Sequence, residues 1–246
     1  MPNKLNLLKQ FRIVLCQTSH PGNIGSVARA MKTMGFLDLY LVNPKDFPSE
    51  HAQALACGAE DILQKATIVN SLDEALKNIN HVIGFTARKR ELTQPHKNVR
   101  DLSKQLIKEA GKNKIAIIFG NETNGLSNLE LQHCQSLGFI DANSKYSSLN
   151  LAHAVQIVCH EIRMVTELPN KNKILKQTTK KYVSHDLQNG FYKHLEEILD
   201  EIGFLKKIQA DRLMMRLRLL FNRTQMEKEE VNILRGILSE IQKKIK

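Results

Sequence analysis

The stretch SHPGNIGSVARAMKTMGF, Ser19–Phe36, follows closely on the apolar run RIVLC of residues 12–16, and its reading decides the fold. A short run of β-branched and apolar residues gives way to Pro21-Gly22, which bends the chain, and then to a helix. Strand, bend and helix make the opening unit of an α/β domain. The helix carries Arg29 about two turns from its start. A guanidinium in a packed core is costly unless it is paired, so Arg29 either points to solvent or meets an anion.

Outward from that stretch, five further apolar runs alternate with helical patterns: LYLVN (39–43), ATIV (66–69), HVIGFT (81–86), KIAIIFG (114–120) and LGFID (137–141). They are rich in Val and Ile and continuous rather than alternating, as strands covered on both faces are. The expected fold is therefore α/β, with a mostly parallel sheet and helices on both faces. Ser71 with Glu74 and Ser127 with Glu130 have the spacing of capping boxes at helix starts.

Beyond Pro169 the texture changes. NKNKILKQTTKKYV (170–183) carries five lysines and no acid, and reads as a basic linker. Three helical stripes follow. Leu187, Phe191, Leu195, Leu199 and Ile202 form the first, and Leu213, Leu217 and Leu220 the second. Val231, Leu234, Ile237, Leu238, Ile241 and Ile245 form the third, opened by a Thr224–Glu227 box. The expected organisation is an α/β domain over 1–167, a linker over 168–183 and a small helical subdomain over 184–246. Arg212, Arg216 and Arg223 share one side of the second stripe, a face that either holds phosphates or is simply solvated.

Net charge is +11. Residues 1–167 hold 19 Lys+Arg against 15 Asp+Glu and residues 168–246 hold 17 against 10, so the smaller part is the more basic. Such a field suits a polyanion, although a solubility charge gives the same excess. The four cysteines, Cys16, Cys57, Cys134 and Cys159, include no CxxC pair and read as buried free thiols; no metal is expected. No apolar run approaches the length of a membrane span, and a cytoplasmic protein is expected.

Ligands of such sheets bind at the carboxyl ends of the strands, so the loops there carry the chemistry. The first has Gly22 and Gly25 but not the GxGxxG spacing, and GxxxxGK[ST] occurs nowhere, which disfavours a dinucleotide or P-loop nucleotide. Asn23 and Arg29 lie near that end. FGNETNGLS (119–127) brackets Glu122 with Gly120 and Gly125, so that backbone can approach a flat ligand while the acid accepts from a hydroxyl or simply caps the next helix. DANSKYSSLNLAHAV (141–155) crowds Tyr146, Ser147, Ser148 and Asn150 before a helix, where Ser148 can be an N-cap, a functional group or both. TARKRE (86–91) puts Arg88 and Arg90 after a strand end.

In that order at strand ends, NIGSVARAMKTMGF, FGNETNGLS and YSSLNLAHAV resemble the three signature motifs of the SpoU-type (SPOUT) RNA 2'-O-ribose methyltransferases. The likeness covers nearly all of residues 11–167. TSH before the first motif, and VNILRGIL (231–238) in the tail, bring it close to the members that methylate cytidine or uridine 32 in the tRNA anticodon loop.

The resemblance implies S-adenosylmethionine bound in a trefoil knot, a homodimer, and tRNA as partner. It also implies cofactor contacts from Phe85, Thr86, Ala87, Gly120, Ile140, Ser147, Ser148 and Leu149. Arg29 matches the arginine of the first motif. Its pKa above about 12 makes it a poor base, so its expected role is to fix a phosphate and stabilise a forming oxyanion, with Asn23 positioning it. Glu122, Ser148 and Asn150 are expected around cofactor and ribose. Arg88, Arg90, Arg212 and Arg216 are expected on RNA. Asn121 stands where the cytidine/uridine-32 members often have arginine, and Phe85 where a small polar residue is common. The competing readings are a methyltransferase for another tRNA position or ribosomal RNA, and a catalytically silent RNA-binding protein.

Overall fold

The computed structural model describes residues 7–88, 95–167, 180–206 and 209–245. The chain runs β1 (Phe11–Cys16), α1 (Pro21–Met34), β2 (Asp38–Val42), α2 (Glu50–Ala56), α3 (Glu60–Gln64), β3 (Thr67–Val69), α4 (Leu72–Ala75) and β4 (His81–Phe85). It continues through β5 (His96–Asn98), α5 (Val99–Glu109), β6 (Ile115–Phe119), α6 (Asn128–Leu131), β7 (Ser136–Phe139) and α7 (Leu151–Glu167). The tail is α8 (His185–Glu201), α9 (Ala210–Asn222) and α10 (Lys228–Ile245).

Seven strands form one sheet in the order β3-β2-β1-β6-β4-β7-β5, and every pair is parallel. The central strands β1, β4 and β6 are buried along their whole length, which is why they read as unbroken apolar runs. Their side chains alternate between two cores. Ile13, Leu15, Leu41, Ile83 and Ile117 meet α1, α2, α5 and α7 on one face. Val14, Val42, Val82 and Ile118 meet Leu72, Ala75 and Leu131 of α4 and α6 on the other. The strand β5, His-Lys-Asn, has no apolar signature, because it is an exposed edge strand held only by β7.

Gly25 fixes how closely α1 meets α2: a methyl group there would come within 2.1 Å of the Ala52 carbonyl oxygen. Ser127 and Glu130 form the expected capping box on α6, and the Ser71 hydroxyl accepts from the Glu74 amide at α4. The Thr224–Glu227 box is not formed. Thr224 Oγ1 donates back to the Phe221 carbonyl, α10 begins at Lys228, and the Glu227 amide is capped by Glu230 instead.

The tail has its own core of Val183, Phe191, Tyr192, Ile198, Met226, Val231 and Leu238. Only part of the first and third expected stripes enters it, since Leu187, Ile202, Ile237, Ile241 and Ile245 are exposed, and none of Leu213, Leu217 and Leu220 does: α9 buries Met214 and Leu219 instead, each one position away. The helices dock on the amino ends of the strands. His185 N donates to Ile79 O just before β4, Asn80 Nδ2 donates to Tyr182 O, and Tyr182 N donates to Asn113 Oδ1 before β6. Residues 168–179 of the expected linker lie outside the described residues. Cys16, Cys134 and Cys159 are buried and in no disulfide, but Cys57, expected to be buried, is exposed at the left-handed end of α2. Among the described residues no helix is long and apolar enough to cross a membrane.

Candidate active site

At the carboxyl edge of the sheet, opposite the docked tail, the ends of β4, β6 and β7 open into a cavity of about 320 Å³. That lies within the range of small-molecule sites, roughly 300–1,000 Å³. Its apolar walls are Phe85, Phe119, Ile140 and Leu149, and the Phe85 and Phe119 rings stack with centroids 5.5 Å apart. The loop after β6 folds back on itself: Asn121 bridges to Gly125, whose φ is +66°, and the Asn121 side chain accepts from the amides of Thr123 and Asn124. A Cβ on Gly120 would lie 2.0 Å from the Gly125 carbonyl carbon, so only glycine permits this turn. Bare backbone thus lines one side of the cavity, open to a flat heterocycle.

All eight positions expected to contact cofactor line this cavity: Phe85, Thr86 and Ala87 from β4, Gly120 from β6, Ile140 after β7, and Ser147, Ser148 and Leu149 before α7. Arg88 also lines it, with Nη2 3.5 Å from Thr123 O. Arg90 lies outside the described residues.

Glu122 closes the wall. Its carboxylate accepts from Ser19 N at 3.0 Å, Ser19 Oγ at 2.8 Å, His20 N at 3.2 Å and Asn23 Nδ2 at 2.8 Å. Partial burial pushes its pKa upward, but the bonds from Asn23 and Ser19 outweigh this and lower it from 4.5 to about 2. It is ionised at neutral pH, and it staples the loop after β6 to the loop after β1. Asn23 is therefore turned to Glu122 rather than to Arg29, contrary to its expected role. It also accepts from Asn150 Nδ2 at 2.9 Å, and Asn150 Oδ1 in turn accepts from Ala152 N at 2.9 Å, capping α7. The N-cap of α7 is Asn150 and not Ser148.

Beyond this wall of Glu122, Asn23 and Asn150 lies an open groove between α1 and α7, lined by Ser26, Arg29, Thr33, His153 and Gln156. Arg29 is exposed there, and among the described residues nothing hydrogen-bonds its guanidinium. Five expected catalytic residues thus divide: Asn23, Glu122 and Asn150 form one hydrogen-bonded chain, Ser148 lies on the cavity side, and Arg29 on the groove side. Ser19, His153 and Gln156 were not legible as site residues, because each joins the site only through packing between loops distant in sequence. On α9, Arg212 and Arg216 are exposed.

A parallel sheet whose glycine loop walls a cofactor-sized cavity, with an exposed arginine across a polar partition, is the frame of an α/β group-transfer enzyme. The chain belongs to the SpoU rRNA methylase family, whose model matches residues 10–160. The model of the C-terminal domain of the tRNA methyltransferase TrmJ matches residues 186–246. The chain is 47% identical over 238 residues to a tRNA (cytidine/uridine-2'-O-)-methyltransferase TrmJ of Photorhabdus laumondii, covering 96% of this chain and 98% of that one. It is 44% identical over 242 residues to the TrmJ of Yersinia pestis, with coverages of 98% and 94%. Among solved structures, TrmJ from Z. mobilis superposes with a TM-score of 0.84 at 28% identity, covering 94% of this chain and 98% of that one.

Proposed function

We propose that this chain is an S-adenosylmethionine-dependent tRNA 2'-O-ribose methyltransferase that works as a cytoplasmic homodimer on cytidine or uridine 32. The reading is carried by one observation: the eight expected cofactor positions line a single cavity, and the Glu122–Asn23–Asn150 chain stands between it and the exposed Arg29. Bound S-adenosylmethionine supplies an electrophilic methyl group. Thr86, Gly120 and Leu149 would hold it along the backbone of the cavity, between the apolar walls of Phe85 and Phe119. Arg29 grips a phosphate beside the target ribose and offsets negative charge developing on the 2' oxygen while remaining protonated itself, so the hydroxyl proton leaves to solvent through the open groove. Glu122 holds Asn23, and through it Asn150, so that both sides of the partition stay fixed during approach. The trefoil knot is supported by the insertion of β7 between β4 and β5.

Residues 184–246 act as the tRNA-binding subdomain, with Arg212 and Arg216 on phosphates. They dock at the amino edge of a sheet whose cavity is at the carboxyl edge, about 16 Å away for five-residue strands. A homodimer lets the tail of one protomer serve the cavity of its partner. Mapping ribose methylation after incubating the protein and S-adenosylmethionine with unmodified tRNA and, separately, ribosomal RNA tests the reading. Methylation of the anticodon loop alone is expected. Methylation only of ribosomal RNA, or no S-adenosylmethionine binding in calorimetry, overturns it.

A further inference from the structure

Where the tail meets the α/β domain, three side chains from separate elements converge. Asp73 stands on α4, His133 just after α6, and His185 opens α8. Their donor atoms all lie within 4.8 Å of one another. Asp73 Oδ1 is 2.9 Å from His185 Nε2 and 3.6 Å from His133 Nδ1, and the two imidazole centroids are 5.3 Å apart.

A hydrogen bond between Asp73 and His185 accounts for the first contact but not for the second ring. The His133 side chain is only 14% exposed, yet its imidazole makes no hydrogen bond to any described residue and faces the carboxylate at 3.6 Å, within ion-pair reach but too far for a hydrogen bond. A tetrahedral zinc ion with donors at about 2.0–2.2 Å sets them roughly 3.3 Å apart, between the two separations found here. The carboxylate is already held for such a role: Asn189 Nδ2 donates to Asp73 Oδ1 at 2.6 Å, and Arg218 Nη1 holds Asn189 Oδ1 at 2.9 Å. Asp73 is the exposed member, which leaves solvent access for a fourth ligand.

We propose that Asp73, His133 and His185 bind a divalent transition cation such as zinc, which fastens the C-terminal helices to the methyltransferase domain. Two imidazoles with one carboxylate favour zinc, cobalt or nickel over magnesium and calcium, which prefer oxygen donors. Binding needs a bare Nε2 on His185. A neutral His185 therefore carries its proton on Nδ1, and the cation replaces both the hydrogen bond to Asp73 and the 3.3 Å contact of His185 Nε2 with Asn189 Nδ2. Arg218 and the net charge of +11 oppose any cation, so the site is one of moderate affinity.

The test is a titration of cobalt(II) into the full chain, read by visible d–d absorption. One equivalent per chain is expected, displaced by zinc and unchanged in Cys57→Ser. Asp73→Asn still accepts from His185 and Asn189, and His133→Gln breaks no hydrogen bond; each is expected to weaken binding by about tenfold or more. Zinc is expected to raise the melting temperature of the parent chain and not that of Asp73→Asn. Absence of one-to-one binding, or binding that survives both substitutions, overturns the proposal.

Discussion

Asn23 Nδ2 lies 2.8 Å from Glu122 Oε1, so the first turn of α1 is tethered to the loop that follows β6. Truncating that carboxylate strands the amides of Ser19 and His20 as well as Asn23. Glu122→Ala is expected to cost about 1–3 kcal/mol of stability and most of the methylation activity. Glu122→Gln keeps the shape and costs less. Thermal melts run beside a methylation assay measure both.

The same carboxylate sets a pH dependence. Its folded pKa, about 2, is below its ordinary 4.5, so its bonds stabilise the fold fully above 4.5 and lose that effect as pH falls toward 2. The stability difference between the parent chain and Glu122→Gln should therefore shrink across that window. Denaturant titrations at several pH values follow it.

The Arg29 guanidinium has no hydrogen-bonding partner among the described residues, and the backbone carbonyl that accepts from Thr33 survives substitution, so Arg29→Ala should fold normally and bind S-adenosylmethionine with nearly unchanged affinity. Methyl transfer should fall on the order of 10²–10³-fold. Calorimetry with the cofactor and single-turnover methylation separate the two effects, and a comparable loss in both sinks the assignment.

Gly120→Ala places a methyl group 2.0 Å from the Gly125 carbonyl carbon, where backbone must move. A loss of about 1–3 kcal/mol and of cofactor binding is expected. Gly58, with open space around its Cβ position but φ of +87°, tests the contrast: alanine there strains a surface turn without touching the cavity.

Replacing both Arg212 and Arg216 by alanine should weaken tRNA binding and reduce the slope of log K against log salt by about two, with cofactor affinity unchanged. Filter binding at several salt concentrations reads the slope.

How much of this was legible follows the range of the interactions. The buried strands announced themselves because parallel strands covered on both faces are apolar throughout, and Ser127–Glu130 because a capping box is local. Gly120 could be placed at a strand end because a glycine loop is a sequence feature, whereas the position of Ser148 on the cavity wall followed only from the family resemblance. Asn23 could not be oriented, since its partners Glu122 and Asn150 reach it only through the fold. For the same reason, cysteine spacing says nothing of Asp73, His133 and His185, which three different elements bring together. Thr224 misled because its hydroxyl had a nearer acceptor, the Phe221 carbonyl, than the amides of the next helix.

The tail grips Ile79, Asn80 and Asn113 at one rim of the sheet, while the glycine turn shapes the other. The two rims are built from separate loops, so a change where the tail is anchored leaves the turn that walls the cavity as it is. Grafting the three helices of a relative onto this scaffold should redirect which nucleic acid is selected and leave the intrinsic chemistry as it was.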